Sequence, residues 1–345
     1  MITPVLLSGG VGSRLWPIST PESPKQLLRI SGDESLLQAA ALRVMGMEEA
    51  FPPVMITSHS LGPRMIEHLE EIGCAPAAVL TEPVGRNTAP AAMAAALWAD
   101  PDDLLLGLPT DHLVTDVEAF RAAIRQGIPP AERGELVIFG IEPSHPHPGL
   151  GYMEVGAGRG IRQVRRFVEK PGIETARQMV DSGHYLWNGG MFLARAAVLR
   201  EVIARLLPGV ARTVTEAFVT AMDTGDGTLR LGDRFEEAPS VSVAKGLWER
   251  AGRILAVPMD AGWSDIGSWE ALGEALGRDD LGNVVSGTGV VEAGKGVQVH
   301  ARGAKTAVVG VSDVVVAVAN GRVLVASREM WEQAGETIER LESLF

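Results

Sequence analysis

A chain of 345 residues, 46% apolar and 5% aromatic, can bury a sizeable core, and its length suits two domains or one large α/β domain with an appendage. A formal charge of −12 repels nucleic acid and anionic lipid, so neither is an expected partner, and a small anionic ligand would need a local cluster of Lys and Arg. The single cysteine, Cys74, rules out an intrachain disulfide, and no apolar run approaches a signal-peptide core or a membrane span, so a soluble cytoplasmic protein is expected.

In chain order, "TPVLLSG" reads as a buried strand that ends in a turn. "SLLQAAALRVMGM" follows with Leu36, Leu37, Ala40 and Val44 at helical spacing. "PVMITS" is a second strand, residues 66–72 lie in a short helix, and "AAVLTEP" is a third strand. "NTAPAAMAAALWAD" is an alanine-rich helix with Thr88 as the expected N-cap and Pro90 in its first turn. "DLLLGLPTD" is a continuous apolar run closed by Pro109, as in a central parallel strand, and "ELVIFGIEP" repeats the pattern. This alternation predicts a mostly parallel sheet with helices on both faces. Farther on, "IRQVRRFVEKP" and "GGMFLARA" read as strands, the second opening into a helix. Residues 201–260 mix helices with one strand, "RILAVPMD". After Leu281 the chain is rich in Val and Gly, with closely spaced short strands and a closing helix in "EMWEQAGETIERLESLF". The expected division is 1–275 and a β-rich unit over 281–345.

"LLSGGVGSRLWP" empties the first strand into a glycine-rich turn, a place where backbone N–H groups approach phosphate. It is not a P-loop, because Gly12 is followed by Ser13 and Arg14 rather than Lys-Ser/Thr. It is not a dinucleotide fingerprint, because Leu15 stands at the third glycine. Arg14 and Lys25 both fall near the C-terminal end of the first strand, where α/β sheets bind ligands.

The run "GGVGSRLWPISTPESPKQLL" resembles the signature of the sugar-1-phosphate nucleotidyltransferases, and Trp before Pro followed by "PKQ" is similar to the mannose-1-phosphate guanylyltransferase branch. "EPVGRNTAPA", "LPTDH", "FVEKP", "WNGGMF" and "WSDIGSW" match that branch in order. "GLGYMEVG" resembles its sugar-side segment, with Leu150 where tyrosine is usual. The resemblance covers nearly the whole chain and implies a Rossmann-like mixed sheet of the nucleotide-diphospho-sugar transferase type, followed by a β-helix-like unit that serves packing or homodimerisation. Many relatives of this branch continue into a cupin-type phosphomannose isomerase domain. The sequence ends at Phe345, so that activity is expected to be absent.

The reaction so implied joins GTP and mannose 1-phosphate into GDP-mannose, with Mg²⁺, and releases pyrophosphate. An oxygen of the sugar phosphate attacks the α-phosphate in line. The nucleophile is already an anion, so the task is to position two polyanions and neutralise their charge. By the resemblance, Arg14, Lys25, Asp111 and Lys170 are the catalytic residues. Leu7, Ser8, Gly9, Gly10, Gly12, Ser13, Arg14 and Asp111 bind nucleotide, and Glu82, Arg86 and Asn87 are candidates for reading the base. Gly151, Glu169, Lys170, Asn188 and Asp265 bind the sugar phosphate, and Asp111 and Asp265 hold the metal.

Plainer readings stand beside these. Asp111 and Asp265 each suit a helix N-cap, "EKP" suits a strand end with an exposed ion pair, and Asn-Gly in "WNGG" is a strong hairpin signal that can also present the Asn188 amide to a sugar hydroxyl. His145 and His147 lack a third ligand and read as a plain loop. Trp98, Trp248 and Trp331 read as core or interface residues, and Cys74 has no catalytic context. Two other functions remain open: the same transfer with another base or sugar, such as UTP or a heptose 1-phosphate, and a non-catalytic subunit that binds nucleotide sugars.

Overall fold

The computed structural model describes residues 1–10, 12–30, 32–331 and 334–342, with the backbone alone at Ser13, Glu336, Glu339 and Glu342. Its strands are β1 (Ile2–Ser8), β2 (Val54–Ser58), β3 (Ala78–Glu82), β4 (Leu104–Pro109), β5 (Leu113–Val114), β6 (Leu136–Ile141), β7 (Gly151–Glu154), β8 (Arg162–Gln163), β9 (Arg166–Glu169), β10 (Tyr185–Arg195), β11 (Met222–Asp223), β12 (Thr228–Arg230), β13 (Ile254–Pro258), β14 (Trp263–Ser264), β15 (Val284–Glu292), β16 (Gln298–Val309), β17 (Val314–Ala319) and β18 (Arg322–Ser327). The helices are α1 (Leu36–Val44), α2 (Gly62–Glu70), α3 (Thr88–Trp98), α4 (Val117–Glu132), α5 (Ile173–Ser182), α6 (Ala196–Leu206), α7 (Pro208–Val219), α8 (Trp269–Leu276) and α9 (Gly335–Glu342). Among the described residues no helix is long and apolar enough to cross a membrane.

The chain forms two compact units, and neither is a single stretch of sequence. The first comprises Met1–Gly9, Leu37–Thr110 and Val114–Trp263. Its sheet runs β11-β12-β3-β2-β1-β4-β10-β6-β13-β8, with β7 on β10 and β9 on β7. The pairs β12–β3, β3–β2, β2–β1, β1–β4 and β6–β13 are parallel, whereas β10 runs antiparallel to both β4 and β6. The apolar runs seen in sequence explain the centre: β1, β4 and β6 are buried almost throughout, as expected of strands covered on both faces. Helix α3 is apolar all round and buried from Ala89 to Ala96, packing with α6 and α7 over Val5, Ile56 and Leu80.

The second unit comprises Gly10–Leu36, Asp111–Leu113 and Ser264–Phe345. One core explains why distant segments gather there: Leu15, Ile18, Leu28 and Leu36 pack with Leu113, Ile266, Trp269, Leu272, Val315, Ala317 and Trp331. Its sheet runs β15-β16-β17-β18, parallel except for the last pair. A second small core of Val297, Val299, Ala301, Val308 and Val316 lies within this sheet.

Three local expectations are corrected. The N-cap of α3 is Asn87, whose side chain accepts the Thr88 N–H at 2.9 Å, and Thr88 instead accepts the Val243 N–H through its hydroxyl. "WNGG" is no hairpin turn: residues 187–190 sit inside the continuous strand β10, with the register against β6 shifting between Asn188 and Phe192. The glycines serve a bulge within a buried strand, where a hairpin would have broken the central pairing. The region over 201–260 also holds β11 and β12, beyond the one strand expected there.

Candidate functional site

In the second unit the glycine loop, Lys25, Asp111 and Asp265 come together. Lys25 opens a short 3₁₀ turn, Lys25–Leu27, that follows Pro24, and only 5% of the residue is exposed. Its Nζ pairs with Asp111 Oδ2 at 3.1 Å and donates to the backbone carbonyl of Asp265. His112 Nε2 lies 3.7 Å from the other Asp111 oxygen. Burial pushes the Asp111 carboxyl upward, but Lys25, His112 and its hydrogen bonds outweigh this and hold it below the usual range. Asp111 therefore stands as a carboxylate, a third exposed, beside an almost buried ammonium.

Neither aspartate is a helix cap. The cap of α4 is Asp116, which accepts the Ala119 N–H at 2.8 Å, and the cap of α8 is Ser268, which accepts the Ala271 N–H at 3.2 Å. Asp265 closes a tight turn by accepting the Gly267 N–H at 3.1 Å, and Ile266 between them takes a left-handed φ of 43°. That turn aims the Asp265 carbonyl at Lys25. The Asp111 carboxylate offers oxygen, the ligand type magnesium prefers, while Asp265 Oδ1 is engaged by the Gly267 N–H. Among the described residues no group of three or more His, Cys, Asp or Glu could hold a metal, so remaining positions would fall to substrate phosphates and water.

Gly12 lies directly over Lys25. Its φ is +71°, and a Cβ there would sit 2.5 Å from Lys25 Cβ. Gly12→Ala should therefore cost about 1–2 kcal/mol from the left-handed backbone alone, and more from displacing Lys25. We expect a lower urea midpoint and at least a tenfold loss of turnover. Gly85→Ala, where nothing lies within 4 Å of the added carbon, should leave the midpoint nearly unchanged. Equal midpoints for the two variants would refute this packing role.

Gly10 also takes a left-handed φ, +87°, and its carbonyl accepts the Gln26 side-chain amide at 3.1 Å. Gln26 is 1% exposed; its part in holding the loop was not foreseen from the sequence, although "PKQ" marked it. Arg14 is exposed in the middle of a 3₁₀ turn over Ser13–Leu15. The Ser13 side chain lies outside the described residues.

In the first unit, β1 delivers Leu7, Ser8 and Gly9. The Leu7 carbonyl accepts both the N–H and the hydroxyl of Thr110 at 3.3 Å. Ser8 turns its hydroxyl inward to Met65 Sδ at 3.6 Å. Glu82 ends β3 and is 6% exposed, and its Oε1 has no hydrogen-bond partner among the described residues. Burial pushes its carboxyl up to about 8. Arg86 donates to the Glu236 carbonyl. Asn87 has φ 67° and, as noted, spends its carbonyl oxygen on capping α3.

A separate ribbon in this unit gathers the other expected residues. Gly151 is paired with Glu169 across β7–β9, and a Cβ on Gly151 would lie 2.7 Å from Glu169 Oε2. Lys170 follows with φ 48°, its N–H donating to the Leu150 carbonyl at 3.2 Å. Trp187 of β10 pairs with Tyr152 of β7, so Asn188 and Gly151 are the next residues on their strands. Asn188 Oδ1 accepts the Gly190 N–H at 3.1 Å.

The family model described as nucleotidyl transferase matches residues 3–280. The chain belongs to that family. Among characterised relatives, xanthan biosynthesis protein XanB of Xanthomonas campestris pv. campestris (strain B100) is 42% identical over 289 residues, covering 83% of this chain and 62% of the relative. The mannose-1-phosphate guanylyltransferase of Escherichia coli K12 is 41% identical over 296 residues, covering 82% and 62%. The chain thus spans less than two thirds of the length of these relatives. A crystal structure of mannose-1-phosphate geranyltransferase from Thermus thermophilus superposes with a TM-score of 0.85 at 30% identity, covering 99% of both chains. The α/β architecture is therefore that of the nucleotidyl transferase family, and the matched span contains every residue named above from Leu7 to Asp265.

Proposed function

We propose that the chain transfers GMP from GTP to α-D-mannose 1-phosphate, giving GDP-mannose and pyrophosphate. The observation that carries this reading is the Lys25–Asp111–Asp265 cluster under Gly12, an ammonium held by one carboxylate and one backbone carbonyl at a glycine loop. The names of relatives about 40% identical support the choice of sugar and nucleotide.

Arg14 grips the triphosphate through its fork of donors, and Lys25 supplies a point charge to the reacting phosphate. The backbone N–H groups of Gly9, Gly10 and Gly12 give the nucleotide close approach. Lys170 holds the phosphate of the sugar, while Glu169, Asn188 and the bare backbone of Gly151 receive the sugar itself. An oxygen of that phosphate attacks the α-phosphorus in line, and pyrophosphate departs with its charge neutralised by Arg14 and Lys25. Asp111 and Asp265 would hold magnesium, which when bound supplies further charge neutralisation at the phosphates. Glu82 is assigned to guanine: its buried carboxyl, with Oε1 lacking a partner among the described residues, suits the two neighbouring donors of that base, N1–H and the amino group.

We further place the catalytic residues in a domain over 1–275 and give 281–345 a packing or dimerisation role, in a protein of the cytoplasm. Initial rates of pyrophosphate release with GTP, ATP and UTP against a panel of sugar 1-phosphates test the reading. GTP with mannose 1-phosphate should give the highest kcat/KM, and rates should vanish with EDTA and return with Mg²⁺. A faster heptose or glucose 1-phosphate would move the substrate assignment. No release with any pair would favour a non-catalytic nucleotide-sugar-binding subunit.

A further inference from the structure

The loop from Glu142 to Leu150, "EPSHPHPGL", joins β6 to β7 and delivers Gly151. Three of its residues are prolines, which carry no N–H, so few backbone donors remain to hold it. Three of those that remain, the N–H groups of His147, Gly149 and Leu150, make bonds that involve His147. The His147 N–H donates to the Tyr152 hydroxyl at 2.9 Å, and that hydroxyl donates back to the His147 carbonyl at 3.2 Å. The Gly149 N–H donates to His147 Nδ1 at 3.1 Å. Tyr152 is fully buried, so its hydroxyl is committed to the peptide groups of His147.

Aromatic contacts fix the same loop from the side. The His145 and His147 rings meet Trp187 edge-on at centroid distances of 5.2 and 6.4 Å, and Tyr152 meets it at 6.5 Å. Trp187 is 5% exposed and immediately precedes Asn188. At its far end the loop hands on what it holds: the Leu150 carbonyl accepts the Lys170 N–H, and Gly151 pairs with Glu169. Leu150 itself is buried, so at this position the chain offers backbone rather than a side chain.

We propose that His147 and Tyr152 are positioning residues: they latch the 142–150 loop so that Leu150 and Gly151 hold Lys170 and Glu169 in place for the phosphate-bearing sugar. This rests on the function proposed above. The latch depends on an acceptor at His147 that reaches the N–H two residues on. Asn and Asp make the same closure in this chain, at Asn188 to Gly190 and at Asp265 to Gly267. The carbonyl oxygen of an asparagine at 147 can replace Nδ1, whereas leucine cannot.

The test compares His147→Asn, His147→Leu and Tyr152→Phe in the full chain, with melting curves to confirm folding. His147→Leu and Tyr152→Phe should raise KM for mannose 1-phosphate about tenfold, with kcat and KM for GTP within about twofold. His147→Asn should stay within about threefold of the parent. An unchanged sugar-phosphate KM in His147→Leu, equal behaviour of the Asn and Leu variants, or parallel changes in both KM values would overturn the proposal. Amide hydrogen exchange supplies an arm that needs no substrate: Gly149 and Lys170 should exchange faster in His147→Leu and not in His147→Asn. If the parent protein turns over no sugar 1-phosphate, the assigned function fails, while unchanged exchange at Lys170 in His147→Leu would separately refute the latch.

Discussion

Lys25→Met should lower kcat/KM by about a thousandfold, the scale expected when a preorganised charge at a developing anion is removed. Methionine is chosen because its unbranched chain still fills the space under Gly12, so the loss reports charge rather than a cavity. The substitution also takes away the ammonium that holds the Asp111 carboxyl below its usual range. In the parent protein that lowered value stabilises the fold above the unfolded carboxyl's range, and the stabilisation disappears as pH falls through the folded value. The variant should lose this contribution, so the gap in melting temperature between parent and variant should narrow as the solution is made acidic. Steady-state rates with a pH series of melting curves check both parts. Turnover within threefold of the parent would remove Lys25 from the reaction.

The second large effect is expected at Glu82. A carboxylate accepting both N1–H and the amino group of guanine makes two charge-assisted bonds, so Glu82→Gln should cut kcat/KM for GTP by about 100- to 1,000-fold. Inosine triphosphate lacks the amino group, so the parent should prefer GTP over it by roughly tenfold and the variant should not. The carboxyl titrates at about 8 in the unliganded protein. Below that pH its proton faces the donors of the base, so KM for GTP should fall as pH rises from 6 towards 8 and level off above.

Stability should run the other way. The unfolded carboxyl loses its proton near 4.5 and the folded one near 8, so folding stability declines across that interval as pH rises. Glu82→Gln removes the buried charge, and the variant should melt above the parent at pH 8 and with it at pH 4. A variant that keeps the preference for GTP over inosine triphosphate would show that another group reads guanine.

Much of this arrangement is legible in the amino-acid sequence. The apolar runs of β1, β4 and β6 announce a parallel sheet because strands covered on both faces carry no polar alternation. Lys25, Asp111 and Asp265 stand out through the family resemblance, since position alone would suit either aspartate equally to a helix cap. Their convergence is not legible. It depends on Leu15 and Ile18 sharing a core with Leu113, Ile266 and Trp269, contacts between segments far apart in sequence.

The cap at Asn87 escapes a sequence reading because Asn and Thr are both good caps and adjacent, and only the left-handed backbone at Asn87 decides between them. "WNGG" misleads because Asn-Gly favours hairpins locally, whereas eleven residues of β10 are held by strands on either side. Strands β11 and β12 are two and three residues long, too short to show any periodicity.

The central claim is transfer at the α-phosphate, and ³¹P NMR of one reaction mixture tests it most directly. With GTP, mannose 1-phosphate and Mg²⁺, the mannose 1-phosphate signal should give way to the paired signals of a diphosphate diester, with an equal amount of pyrophosphate. Unchanged substrates, or GDP with inorganic phosphate in place of pyrophosphate, would contradict it.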